Sequence, residues 1–125
     1  MNNKIYTDTA PAAIGPYSQA VQAGNILYIS GMIPVDPATN TMAGSTIEEQ
    51  ASQIMRNIDA VLKEAGYSVD DVVKTTCFLA DMNDFARFNE VYADFFTSKP
   101  ARSCVAVKQL PKGALAEVET IAIKA

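Results

Sequence analysis

The stretch Pro100-Ala101-Arg102-Ser103-Cys104-Val105-Ala106-Val107 sets a guanidinium and a thiol two residues apart in what reads as a β-strand. Side chains at i and i+2 of a strand leave the same face. Arg102 and Cys104 therefore look one way, while Ser103, Val105 and Val107 look the other. An arginine fork matches a carboxylate or a phosphate, and a fixed cation beside a cysteine favours its thiolate. Together they make half of an anion-binding active site. The plainer alternative pairs Arg102 with a surface acid and leaves Cys104 as a small buried hydrophobe.

A proton acceptor, the other half of a reaction centre, has few sources. The chain has no histidine, which removes Ser-His-Asp and Cys-His catalysis and leaves acid-base work to carboxylates, Lys, Tyr or Cys. Cys77 and Cys104 form no CxxC pair and have no histidine to complete a zinc set, so no metal is expected. In the last predicted strand, 116–124, alternation puts Glu117, Glu119, Ile121 and Ile123 on one face and Val118, Thr120 and Ala122 on the other. A carboxylate aligned with isoleucines is a candidate for partial burial, which raises its pKa and equips it for proton transfer. Alternatively, both glutamates sit at an exposed strand end.

The elements that must position these residues follow in chain order. Residues 4–7 read as a short edge strand, and 9–17, with Pro11, Gly15 and Pro16, as a loop ending at Tyr17. Residues 18–23 and 26–30 form a hairpin about Gly24-Asn25. It runs out through Ser30-Gly31-Met32-Ile33-Pro34, where glycine permits close backbone approach. Residues 35–45 are turn-forming, and Ser45 with Glu48 reads as a capping box. The helix that follows spans 46–65 and carries Ile47, Ala51, Ile54, Met55, Ile58, Val61, Leu62 and Ala65 on one stripe, with Gly66 as its stop. Residues 72–80 read as a buried strand, with Cys77 as plain core. Asp81 to Asp84 cap a second helix with Phe85, Phe88, Val91, Tyr92, Phe95 and Phe96 on one face and Asn89 on the more polar side. A short link, 97–100, leads into the Arg102 strand, and 110–113 is a turn.

A chain of 125 residues is one domain, 1–125, burying somewhat under ~70% of its extended surface. Its net charge of −4 and scattered basic residues argue against a nucleic-acid groove. The start has no apolar signal core and no run of about 18 apolar residues occurs. A cytoplasmic protein without membrane partners is expected. The order β-β-β-α-β-α-β-β makes a mixed sheet with two helices on one face. The uncovered face is expected to self-associate.

The sequence resembles the RidA/YjgF family of enamine/imine deaminases along nearly its whole length. The resemblance rests on Ala10-Pro11-Ala12-Ala13-Ile14-Gly15-Pro16-Tyr17-Ser18-Gln19, Ser30-Gly31-Met32-Ile33-Pro34, Asp81-Met82-Asn83-Asp84-Phe85 with Asn89, Pro100-Ala101-Arg102-Ser103-Cys104-Val105, and Leu110-Pro111-Lys112 with Glu117-Val118-Glu119. It implies an α+β fold of bacillary chorismate-mutase type, assembled as a homotrimeric barrel with active sites between subunits. It also implies a hydrolase that, without a cofactor, converts 2-imino and 2-enamino acids such as 2-aminoacrylate and 2-aminocrotonate to 2-oxo acids and ammonia. By position, Arg102 would clamp the substrate carboxylate, Cys104 would line the site near the imine, and Glu117 would position or deprotonate water. Tyr17, Ser30, Gly31 and Asn89 would complete the pocket, some from the neighbouring subunit. The link before Pro100 is shorter than is common in the family, and Lys99 stands where an aromatic is common. Rival readings are a non-catalytic small-carboxylate binder or metabolite sensor, and a ribonuclease, translation-inhibitor or chaperone-like role on the same fold.

Overall fold

Alternation along three central strands makes the sheet one-sided. Leu27, Ile29 and Met32, then Val118, Thr120 and Ala122, then Thr75, Cys77 and Leu79 are all buried and share one face. The computed structural model describes residues 2–125. Its elements are β1 (Asn3–Ile5), β2 (Ala20–Ala23), β3 (Ile26–Met32), β4 (Val35–Asp36), β5 (Thr41–Met42), α1 (Ile47–Ala65), β6 (Val72–Leu79), α2 (Phe85–Phe95), β7 (Ala101–Ala106) and β8 (Ala116–Ile123). Six strands form one sheet in the order β1-β2-β3-β8-β6-β7, and β4 and β5 form a separate two-stranded ribbon. All pairings are antiparallel except β6 with β7. A parallel pair needs a crossover, and α2 supplies it. The α+β mixed sheet with both helices on one face matches the expected chorismate-mutase-like class.

Helix α1 buries Ile47, Ala51, Ile54, Met55, Ile58, Val61 and Leu62 against the sheet, at roughly 1.5–3 kcal/mol for each large side chain removed from water. Its capping box is one residue later than expected. Thr46 is extended and accepts from the Glu49 N–H at 3.2 Å, while Glu49 Oε1 accepts from the Thr46 N–H at 3.2 Å and from the Ser45 N–H. Glu48 instead faces Arg87. Gly66, at φ 80°, closes the helix in the left-handed region that glycine tolerates. Helix α2 contributes Phe88, Tyr92 and the following Phe96 to the same core.

Other boundaries differ in instructive ways. The first strand is Asn3–Ile5 rather than 4–7, because the Thr7 N–H leaves the ladder to donate to Gln19 Oε1 at 2.8 Å. The turn expected over 35–45 contains the β4–β5 ribbon. Buried Asn57 of α1 holds its root by donating from Nδ2 to the carbonyls of Ile33 (3.2 Å) and Val35 (3.0 Å), a tertiary tie that no local pattern announces. On the helix-free face Tyr28, Val105 and Ile123 are exposed, beside half-buried Phe78 and Ile121. No helix of the described residues is long and apolar enough to cross a membrane.

Candidate functional site

Arg102 pairs in register with Thr75 on β6, so its side chain leaves β7 on the face covered by α2. The helix meets it with Phe85, Asn89 and Tyr92, at i, i+4 and i+7, one stripe of an α-helix. Arg102 Nη1 donates to Asn89 Oδ1 at 2.8 Å. The guanidinium carbon stands 4.6 Å from the Tyr92 ring centroid and 5.5 Å from that of Phe85. Such cation–π contacts contribute about 0.5–2 kcal/mol each and fix the guanidinium plane. Tyr92 is itself anchored, its hydroxyl 2.6 Å from Thr75 Oγ1. Among the described residues no carboxylate comes within ion-pair distance of Arg102. The cation is thus oriented but not neutralised.

Asn89 is half-buried against this arginine and not on the more polar, solvated side of α2 where it was expected. Cys104 shares the face of Arg102, as the i, i+2 spacing required. The expected thiolate does not follow: burial raises the Cys104 pKa, and the opposing pull of Arg102 does not overcome it. Cys104 is a protonated thiol at neutral pH.

Glu117 and Glu119 part company. Glu119 is exposed, whereas Glu117 is half-buried, and burial first, then the Glu119 charge, raise the Glu117 pKa above the ordinary carboxylate range. Glu117 lies beside an irregularity in β3. Ile29 pairs with Thr120 and Met32 with Val118, which leaves Ser30 and Gly31 together opposite Glu119, a β-bulge. A Cβ at Gly31 would collide with the Glu117 carboxylate, so glycine is required there for the close approach. Strand β3 continues through the bulge to Met32 rather than ending at Ser30.

Ser30 ties this bulge to the preceding loop. Its N–H donates to the Gln19 carbonyl at 3.0 Å and its hydroxyl to the Ser18 carbonyl at 2.6 Å. The loop itself is pinned by the buried Gln19 amide, which accepts from the Thr7 N–H and donates to the carbonyls of Thr7 (3.1 Å), Ala10 (3.3 Å) and Pro11 (2.7 Å). Tyr17 emerges from it about half exposed. Loop and bulge enclose a cleft of about 200 Å³ whose wall includes Pro11, Ile14, Tyr17, Ser30, Gly31 and Lys112.

The predicted site residues therefore fall into two groups. Arg102, Cys104 and Asn89 stand on the helix-covered face at the β7 edge. Tyr17, Ser30, Gly31 and Glu117 gather around the bulge, and Glu117 is on the opposite face, since Val118 beside it is core. Glu117 is in register with Phe78, and Phe78 with Val105, all on the helix-free side. Within one chain Arg102 and Glu117 do not converge. Sequence reasoning missed Tyr92, Phe85 and Gln19 as supports. The 85/89/92 spacing carried the signal for the first two, and nothing local carried it for Gln19. Among the described residues no group of three or more His, Cys, Asp or Glu side chains is placed to hold a metal ion. The shortened link turns tightly, with Lys99 at φ 56° and its N–H donating to the Phe96 carbonyl at 3.1 Å.

Comparison with known proteins places this geometry in a family. A family model described as endoribonuclease L-PSP matches residues 7–124. A RutC family protein of Pyrococcus horikoshii is 54% identical over 125 residues, covering 99% of both chains. Among solved structures, TdcF of E. coli with bound serine superposes with a TM-score of 0.94 at 43% identity, covering 98% of this chain and 99% of that one. RidA from the Antarctic bacterium Psychrobacter sp. PAMC 21119 does so at 0.94 and 45%, with the same coverage. Matched along almost its whole length and closely related to these proteins, the chain belongs to the RidA/YjgF family.

Proposed function

We propose that the protein hydrolyses 2-imino and 2-enamino acids, such as the 2-aminoacrylate and 2-aminocrotonate released by amino-acid dehydratases, in clefts between the subunits of a homotrimer. The observation that carries this reading is the division of the site: a stacked, unneutralised Arg102 on one face and a half-buried Glu117 on the other. A second copy laid on the first joins them. The apolar helix-free face, with Tyr28, Val105 and Ile123 exposed, is the surface such packing would cover.

In that cleft Arg102 takes the substrate carboxylate through the N–H donors that Asn89 leaves free. The imine carbon is already electrophilic, so the site needs to hold it still, exclude bulk water and deliver one water molecule. Glu117 accepts a proton as the water oxygen bonds to that carbon, forming a carbinolamine. The proton returns to nitrogen, Glu117 then takes the carbinolamine hydroxyl proton as the C–N bond breaks, ammonia leaves carrying that proton away as ammonium, and the carbonyl of the 2-oxo acid forms. An enamine enters after protonation at carbon. Tyr17 and Ser30 border the reacting atoms, and Cys104, as a neutral thiol, lines the site near the imine without acting as a nucleophile. The TdcF structure with bound serine supports the reading, since serine carries the α-carboxylate and nitrogen of this substrate class. An RNA substrate would ask for clustered cations, which a chain of net charge −4 does not favour.

The test generates 2-aminocrotonate in situ with a threonine dehydratase and follows release of 2-oxobutanoate and ammonia. The wild type should accelerate loss of the intermediate above the spontaneous rate. Arg102→Ala should fall by about a hundredfold or more in kcat/KM, the scale of losing a charge-assisted bidentate contact. A wild type that matches the protein-free control overturns the proposal.

A further inference from the structure

We propose that Cys77 and Cys104 form a second chemical site, a dithiol that hydrogen peroxide closes to an intrachain disulfide. The two residues are direct partners in the parallel β6–β7 ladder, so both side chains leave the helix-covered face side by side. Neighbouring strands run about 4.8 Å apart, inside the roughly 4.4–6.8 Å Cα separation that disulfides span. Both thiols are free, Cys77 buried and Cys104 half-buried. A small oxidant thus meets Cys104 first and finds Cys77 directly behind it. This goes beyond the proposed hydrolysis, which uses Cys104 only as lining and Cys77 not at all.

The chemistry closes in two steps. The Cys104 sulfur attacks one peroxide oxygen, the O–O bond breaks, hydroxide leaves and Cys104 becomes a sulfenic acid. The Cys77 sulfur then attacks the Cys104 sulfur, the S–S bond forms, the S–O bond breaks, and the departing hydroxide takes up a proton. The peroxide is reduced to two waters and the two thiols are oxidised by two electrons. The disulfide closes a ring from 77 to 104 that contains α2 and the shortened link, and so ties both elements that hold Arg102 and Asn89.

The surroundings set the rate. Burial pushes the Cys77 thiol up to about 12, with the neighbouring Cys104 adding, while the Thr75 hydroxyl and Arg102 oppose it. The titratable and charged groups facing the pair are Arg102 from β7 and Tyr92 from α2. Since the thiolate is the nucleophile, oxidation is slow at neutral pH and should quicken by about tenfold per pH unit.

The experiment treats the full chain with hydrogen peroxide at pH 7 and pH 9, blocks remaining thiols under denaturing conditions and maps tryptic peptides by mass. The expected product is peptide 75–87 joined to peptide 103–108, formed within one chain, faster at pH 9, reversed by dithiothreitol and accompanied by a rise of several degrees in Tm. In Cys77→Val, which fills the buried position with an apolar side chain, Cys104 should instead advance to sulfinic acid. Because the wild-type peptide map decides alone, poor folding of that variant does not matter. The proposal is overturned if Cys104 in the wild type reaches sulfinic acid while Cys77 remains alkylatable, if the linkage joins two chains, or if both thiols survive pH 9.

Discussion

The β7 edge and the β3 bulge solve opposite electrostatic problems with different parts of the fold. At the edge, a parallel ladder and the aromatic stripe of α2 hold a guanidinium by stacking and by a neutral acceptor, Asn89, leaving its charge for a visiting anion. At the bulge, an extra residue in an antiparallel ladder presents Gly31 to a half-buried carboxylate whose environment resists ionisation. One region keeps a cation charged without a partner, and the other makes an acid a stronger base. Binding and proton transfer are thereby assigned to separate faces, and the proposed activity depends on bringing two chains together.

Breaking that comparison outright has the largest expected effect. Arg102→Ala and Glu117→Gln should each lose most turnover alone. Unfolded together in equal amounts and refolded, they should recover about a quarter of wild-type activity, because each mixed trimer regains one intact site in three and about three-quarters of trimers are mixed. Refolded mixtures that stay as inactive as either parent would mean that both residues act within one chain, or that neither acts.

Next comes the bulge. Gly31→Ala places a methyl group where the Glu117 carboxylate now lies, so the carboxylate must swing away from its water. We expect kcat to fall by roughly tenfold to a hundredfold with KM little changed and the far-UV circular dichroism spectrum retained. A fall confined to KM would instead assign the bulge to binding.

Much of this was legible beforehand, and what was not has a physical reason. The α1 stripe could be read because nineteen helical residues repeat one spacing, and Arg102 and Cys104 share a face because strand alternation admits no other outcome. Asn89 was misplaced because Phe85, Phe88, Val91, Tyr92, Phe95 and Phe96 read as the one packed face of the helix, while the environment of Asn89 is set by β7, thirteen residues on. The separation of Arg102 from Glu117 needed the strand order: only once β8 is known to lie between β3 and β6 do the registers assign the two residues to opposite faces. Gln19 reads as one polar residue in a strand, and its role appears only when four hydrogen bonds to the 7–11 segment are seen.

At the β7 edge, the clamp can be loosened without removing the cation. Asn89→Ala deletes the amide oxygen that accepts from Arg102 and leaves the Tyr92 and Phe85 rings in place. A hydrogen bond to a charged group contributes about 1.5–3 kcal/mol, but the stacked rings retain part of the orientation. We expect kcat/KM to fall about tenfold, mainly through KM, with Asn89→Gln recovering part of it. An unchanged KM would show that the rings alone suffice.

The smallest and most discriminating change is at Glu119. Its charge is the second cause, after burial, of the raised Glu117 pKa, so Glu119→Gln should lower that pKa while leaving the burial contribution. If Glu117 acts as the base, it must be ionised, and activity falls as pH drops through its pKa. The acid limb of kcat/KM should therefore lie above the ordinary carboxylate range in the wild type and move to lower pH in Glu119→Gln. Stability gives an independent readout. A carboxyl whose folded pKa is raised binds its proton more tightly when folded. Its contribution is therefore complete below the unfolded carboxylate pKa and is lost as pH rises through the folded value. Glu119→Gln should reduce that loss, so Tm measured across the same range should decline less than in the wild type. A shift in the Tm profile without one in the acid limb would separate burial of Glu117 from its use, leaving the bulge as architecture and Arg102 as the only functional half.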